Sequence, residues 1–128
     1  MKILQVITSL QTGGAEKLVV DMVPKMRAAD VVVMSSHFEG LSLSNLEGMA
    51  AGKPFVASDV DGLREMTKGY GVLFPHGDDA ALAEVISQLS SDRRMYSEVA
   101  ERCYERALQY DISKTVEGYL KIYEKTSL

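Results

Sequence analysis

The sequence predicts an α/β fold, a Rossmann-like parallel sheet of about four strands with flanking helices. Three observations carry this. Short β-branched runs alternate with stretches of helical periodicity, the pattern of βαβ units. The runs are apolar at both parities, as strands buried on both faces of a parallel sheet are. Gly, Pro and Asp cluster where one pattern gives way to the next.

The first strand is predicted over residues 2–8, with Ile3 and Ile7 on one parity and Leu4 and Val6 on the other. A turn with Gly13 and Gly14 follows. From Ala15, the residues Leu18, Val19, Met22, Val23 and Met26 recur at helical spacing. Pro24 should kink or shorten that helix. A second two-faced strand is expected over 31–35. Residues 40–52 read as a loop entering a helix with Leu43, Leu46, Met49 and Ala50 on one side. Lys53-Pro54 is a turn and 55–58 a third strand. A short helix follows from Asp61-Gly62 to about Lys68, and a fourth strand over 71–74 ends at Pro75.

Three helices complete the chain. Asp78 suits the N-cap of the first, whose stripe is Leu82, Val85, Ile86 and Leu89. The second starts near Ser91, with Met95, Val99 and Cys103 beside Tyr96, Ala100 and Tyr104. The third starts near Ser113 and carries Val116, Tyr119, Leu120 and Tyr123. Successive strands joined by right-handed crossovers put their helices on one sheet face. The other face then needs the long C-terminal helices or a second copy of the chain, a homodimer.

Composition narrows the function classes. At 128 residues, 46 % hydrophobic and 25 % charged, the chain is one ordinary globular domain spanning 1–128. Fourteen basic against 18 acidic residues leave a net charge of −4, which argues against non-specific nucleic-acid binding. A single cysteine, Cys103, allows no internal disulfide and fits a reducing compartment. The aliphatic run Val31-Val32-Val33-Met34 falls far short of the ~20 residues that span a bilayer. The opening MKILQVIT lacks the apolar core and cleavage site of a signal peptide. A cytoplasmic location is the expectation.

Ligands of open parallel sheets sit at the C-terminal strand ends, here residues 8–14, 35–44, 58–62 and 74–78. Gly13 and Gly14 join a strand to a helix, where backbone N–H groups can approach a phosphate. A plain tight turn explains a Gly-Gly pair equally well. The richer stretch is Ser36-His37-Phe38-Glu39-Gly40-Leu41-Ser42-Leu43-Ser44-Asn45-Leu46-Glu47. Its two glutamates, eight positions apart, can accept hydrogen bonds from sugar hydroxyls, with helix N–H groups for a phosphate between them. One solvated and one capping glutamate would be the bland explanation. His37 and His76 lie far apart in sequence. With one cysteine and no clustered ligand spacing, they suggest neither a base nor a zinc site.

Taken together, these pieces resemble the retaining GT-B glycosyltransferases of group 1 (family four). The stretch ADVVVMSSHFEGLSLSNLEGMAAGKPFVASDVDGLREM, followed by GYGVLFPHGDDAALAEVI, carries that family's Glu-x7-Glu motif from Glu39 to Glu47 and its Ala-Gly-Lys-Pro turn. Residues 1–27 resemble the N-terminal strand, loop and helix of those enzymes. Residues 29–128 resemble the second half of the C-terminal domain and the closing helices. The resemblance implies transfer of a sugar from a nucleotide-sugar donor to an acceptor with retention, with no metal and no other cofactor. It casts Glu39 as the catalytic-site carboxylate on the donor-sugar hydroxyls and Glu47 as holder of the ribose. The N–H groups of Gly40, Leu41 and Ser42 would support the sugar, and those of Leu43 and Ser44 would face the diphosphate. Gly13 and Gly14 would line the diphosphate and acceptor side.

The chain departs from the family pattern in the middle, where Arg27 runs almost directly into Ala28-Ala29-Asp30. Most of the family's N-terminal domain has no counterpart there, nor has the first half of its C-terminal domain, which carries the arginine and lysine that neutralise the departing diphosphate. Lys53, Arg64 and Lys68 match neither position. Three readings therefore stand: a glycosyltransferase, a non-catalytic nucleotide(-sugar)-binding module, and a minimal fold without ligand.

Overall fold

In the computed structural model, residues 1–6, 25, 28–37 and 43–126 are described. Four parallel strands form one sheet in the order β1 (Ile3–Val6), β2 (Val31–Met34), β3 (Phe55–Ser58) and β4 (Val72–Phe74). Between them lie α1 (Leu43–Ala50) after β2 and α2 (Leu63–Thr67) after β3. Three helices follow β4: α3 (Asp79–Ser91), α4 (Arg93–Leu108) and α5 (Ile112–Thr126). The helix expected from Ala15, and the end of the first strand at 7–8, lie outside the described residues.

The central strands are as the two-faced pattern predicts. Val31, Val32, Val33, Met34, Phe55, Val56 and Ala57 are all buried, at both parities. The core they share also takes Met49 from α1, Leu89 from α3, and Val99 and Cys103 from α4. Both faces of β2 and β3 are thus closed within one chain, and closing them requires no second copy. Helix α1 sits close to the sheet because Gly48 has no side chain. A Cβ there would lie 2.8 Å from the Phe55 ring and 3.2 Å from Val32. Ala50, expected on the core side of α1, is exposed; it lies 100° round the helix from Met49, and Gly48 takes the buried place instead.

Strand β1 differs from its expectation. It is the sheet's edge among the described strands, so Ile3 stays 47 % exposed and Leu4 only half-buried. It is held in register by β2 and by Lys2, whose carbonyl accepts from the Asp30 N–H at 2.7 Å.

Helix α3 starts as predicted: the Asp78 carboxylate accepts from the Ala81 N–H at 2.8 Å. Helix α4 is capped by Asp92, which accepts from the Met95 N–H at 2.9 Å. It runs across the N-terminal edge of the sheet. The Tyr96 hydroxyl donates to the Asp30 carbonyl at 2.8 Å, beneath β2. At its far end, Arg106 donates to the carbonyls of Glu65 (3.2 Å) and Met66 (3.4 Å) at the close of α2. The same guanidinium lies over the rings of Tyr70 (4.7 Å) and Tyr110 (5.1 Å). Tyr104, expected beside the core stripe, is 47 % exposed.

Helix α5 has the predicted stripe but buries none of it. Ile112, Val116, Tyr119, Leu120 and Tyr123 share one face and are 50–73 % exposed. Periodicity predicted the helix correctly; it is silent on whether anything covers the face.

Candidate functional site

The loops at the C-terminal ends of β2, β3 and β4 are tied together by hydrogen bonds. The Ser58 hydroxyl donates to the Ser36 carbonyl at 2.6 Å, and the Asp59 N–H to the Phe74 carbonyl at 2.8 Å. On the β1 side, the Gln5 side-chain amide donates to the Ser35 hydroxyl at 2.9 Å. These contacts give the ligand-binding edge of the sheet a fixed rim.

Helix α1 begins at this rim, because it follows β2 and runs back along the sheet. Its first residues, Leu43, Ser44 and Asn45, present N–H groups without partners inside the helix. Glu47 lies one turn on, three residues from half-buried Ser44 and so on the same side. One of its carboxylate oxygens, Oε2, is wholly buried and has no hydrogen-bond partner among the described residues. Burial raises its carboxyl above the usual range. A carboxylate in that state gains from any ligand hydroxyl that donates to it. Glu39, Gly40, Leu41, Ser42, Gly13 and Gly14 lie outside the described residues, so the site residues located here are Leu43, Ser44 and Glu47.

Parallel topology also sorts the cations. Lys53 precedes β3, and Lys68 ends the helix that returns from β3, so both lie at the N-terminal edge, away from the rim. Arg64, in the first turn of α2, is at the rim, but it is already engaged. It contacts Asp59 at 2.5 Å and Asp61 at 2.8 Å, and these two carboxylates offset its charge. No group of three or more metal-ligating side chains occurs among the described residues. An open groove of about 450 Å³ near Met1, Asp30, Arg93 and Tyr96 lies at the opposite sheet edge.

Two features escaped the sequence reading. Asn45 is fully buried with neither amide atom partnered among the described residues; as the third residue of α1 it read only as part of a polar loop. His37 and His76, 39 residues apart, meet across β3, with Nδ1 of one 2.6 Å from Nε2 of the other. Strand order alone could have flagged this, since both follow strands that flank β3.

A four-stranded parallel sheet flanked by helices, with a helix N-terminus at its C-terminal edge, defines a Rossmann-like α/β protein. The family model of glycosyl transferases group 1 matches residues 12–92, and the chain belongs to that family. It is 35 % identical over 107 residues to the N,N'-diacetylbacillosaminyl-diphospho-undecaprenol alpha-1,3-N-acetylgalactosaminyltransferase of Campylobacter jejuni, covering 82 % of this chain and 28 % of that enzyme. It is 38 % identical over 100 residues to the putative glycosyltransferase EpsD of Bacillus subtilis, covering 77 % of this chain and 26 % of EpsD. Among solved structures, Anabaena HepE in complex with UDP superposes with a TM-score of 0.72 at 25 % identity, over 79 % of this chain and 29 % of HepE. The chain thus spans about a quarter of the length of the relatives it matches. No helix among the described residues is long and apolar enough to cross a membrane.

Proposed function

We propose that this chain is a single hybrid domain that binds the nucleoside diphosphate of a nucleotide sugar without carrying sugar transfer to turnover. In this reading residues 1–27 stand for the family's opening strand, loop and helix, and 29–128 for the later part of its C-terminal domain. Glu47 accepts from the ribose hydroxyls. The N–H groups of Leu43 and Ser44 face the diphosphate, and Gly13 and Gly14 take the role of lining the diphosphate and acceptor side. Glu39 and the N–H groups of Gly40, Leu41 and Ser42 hold the sugar.

The observation that carries the proposal is the buried, unpartnered oxygen of Glu47 one turn inside a helix that begins at the ligand edge. The structure of HepE with UDP supports uracil as the base. A donor bound this way calls on no metal or other cofactor, since N–H groups meet the phosphates. A cytoplasmic location belongs to this reading, supported by a lone cysteine that forms no disulfide.

Full catalysis requires stabilising the departing diphosphate, commonly the largest catalytic contribution. Arg64 is held by two aspartates and the two lysines are at the wrong edge. Binding without turnover follows. Calorimetry with UDP, GDP, ADP and UDP-glucose tests this: saturable binding of UDP is expected. If all four fail to saturate at millimolar concentration, the ligand-free fold is the correct reading.

A further inference from the structure

We propose that His37 and His76 form a two-histidine site for a divalent transition-metal ion of the zinc, nickel or copper type. The two rings stand 4.5 Å apart between centroids, with Nδ1 of His37 facing Nε2 of His76 at 2.6 Å. They come from separate loops, one after β2 and one after β4, so the fold creates the pair rather than local sequence. Both side chains are exposed, which leaves an ion a direct approach from water.

In the metal-free pair, one facing nitrogen donates its N–H to the lone pair of the other. An ion that replaces this hydrogen bonds both nitrogens at about 2.0–2.1 Å. The nitrogens then stand about 3 Å apart, for bond angles between a right angle and the tetrahedral value. The opening needed is well under an ångström, and the loops are at the surface. The donating ring moves its proton to its other nitrogen through solvent, so no net proton is lost. Among the described residues no group of three metal-ligating side chains occurs, so the pair is proposed as the two protein ligands. Imidazole ligands favour zinc, nickel and copper over magnesium and calcium, which prefer oxygen.

The composition makes the site readable. These are the chain's only histidines. Its one thiol, Cys103, is buried, and burial pushes its pKa up to about 11, so it does not compete as a thiolate. The metal titration is carried out without donor.

The experiment titrates the untagged full chain with zinc or nickel chloride, by calorimetry and by ¹⁵N NMR of the imidazoles. One equivalent should bind, with both imidazoles shifting along a single saturating curve, and magnesium at the same concentration should shift neither. His37→Ala and His76→Ala should each weaken binding by about tenfold or more. Wild-type affinity in either variant, or a titration that moves only one imidazole, would overturn the proposal. Should a variant fail to fold, the wild-type NMR titration decides alone.

Discussion

At Glu47 burial meets the role proposed for it. Burial raises its carboxyl pKa, so the folded chain holds that proton more tightly than the unfolded chain does. This contribution is fully present below about pH 4, the ordinary carboxylate range, and is lost as pH rises through the folded value. Glu47→Gln removes the titration. Relative to wild type, the variant is therefore expected to be more stable at pH 7 than at pH 4, as urea titrations at the two values will show. Ligand hydroxyls favour the ionised form, so UDP affinity should rise with pH as Glu47 ionises through its raised folded value in the wild type. In Glu47→Gln that rise should vanish and affinity fall about tenfold, the scale of a hydrogen bond to a charged group. A variant with unaltered UDP affinity would remove Glu47 from the site. Gly71 makes a separate residue-scale point. A Cβ there would lie 2.5 Å from the Phe55 carbonyl oxygen and 2.9 Å from Thr67 Cγ2. Since the first contact is backbone, Gly71→Ala must push β4 from β3, and a loss of about 1–3 kcal/mol in chemical unfolding is expected.

Among the elements, α3 and α5 look alike in sequence and differ in what they hold up. Both show apolar residues at helical spacing, yet α3 buries Leu89 in the core while every described residue of α5 is exposed. Leu89→Ala should cost about 2–5 kcal/mol. Removing residues 112–128 should shift the unfolding free energy by less than about 1 kcal/mol, since it deletes no buried contact. A larger loss on truncation would mean that the α5 face packs against something in solution. The comparison shows where sequence reading stops. Periodicity specifies which residues share a face, so the β2 and β3 runs and the Asp78 cap were legible from Val31–Met34, Phe55–Ser58 and Asp78 alone. Burial of a face depends on what lies opposite, and no local pattern encodes that; hence Ile3, Tyr104 and α5 turned out exposed. The motif spacing placed Glu47 on the first turns of α1, where the structure has it. The His37–His76 meeting was not, because it depends on strand order rather than on spacing.

For the molecule as a whole, affinity and turnover should separate. On the proposed reading, binding draws on groups the fold holds in place: the start of α1 and the buried Glu47 oxygen. Turnover also needs positive charge to grow against the diphosphate as the sugar leaves, and the cation described at the rim, Arg64, is paired with Asp59 and Asp61. Ligand that binds only the folded chain stabilises it by mass action, about 2.7 kcal/mol at a hundred times the dissociation constant. Thermal unfolding should therefore move up with UDP concentration, while radiolabelled UDP-glucose releases no sugar to any acceptor above the protein-free rate. Freeing the cation sharpens the test. An Asp59→Asn, Asp61→Asn pair leaves Arg64 unneutralised at the same rim and should tighten UDP binding several-fold at low salt, with the gain shrinking as salt screens the new attraction. If wild type transfers sugar efficiently, the charge argument fails even though the binding argument stands. If the Asn pair leaves UDP affinity unchanged at every salt concentration, Arg64 lies too far from the diphosphate for its pairing to explain the missing step.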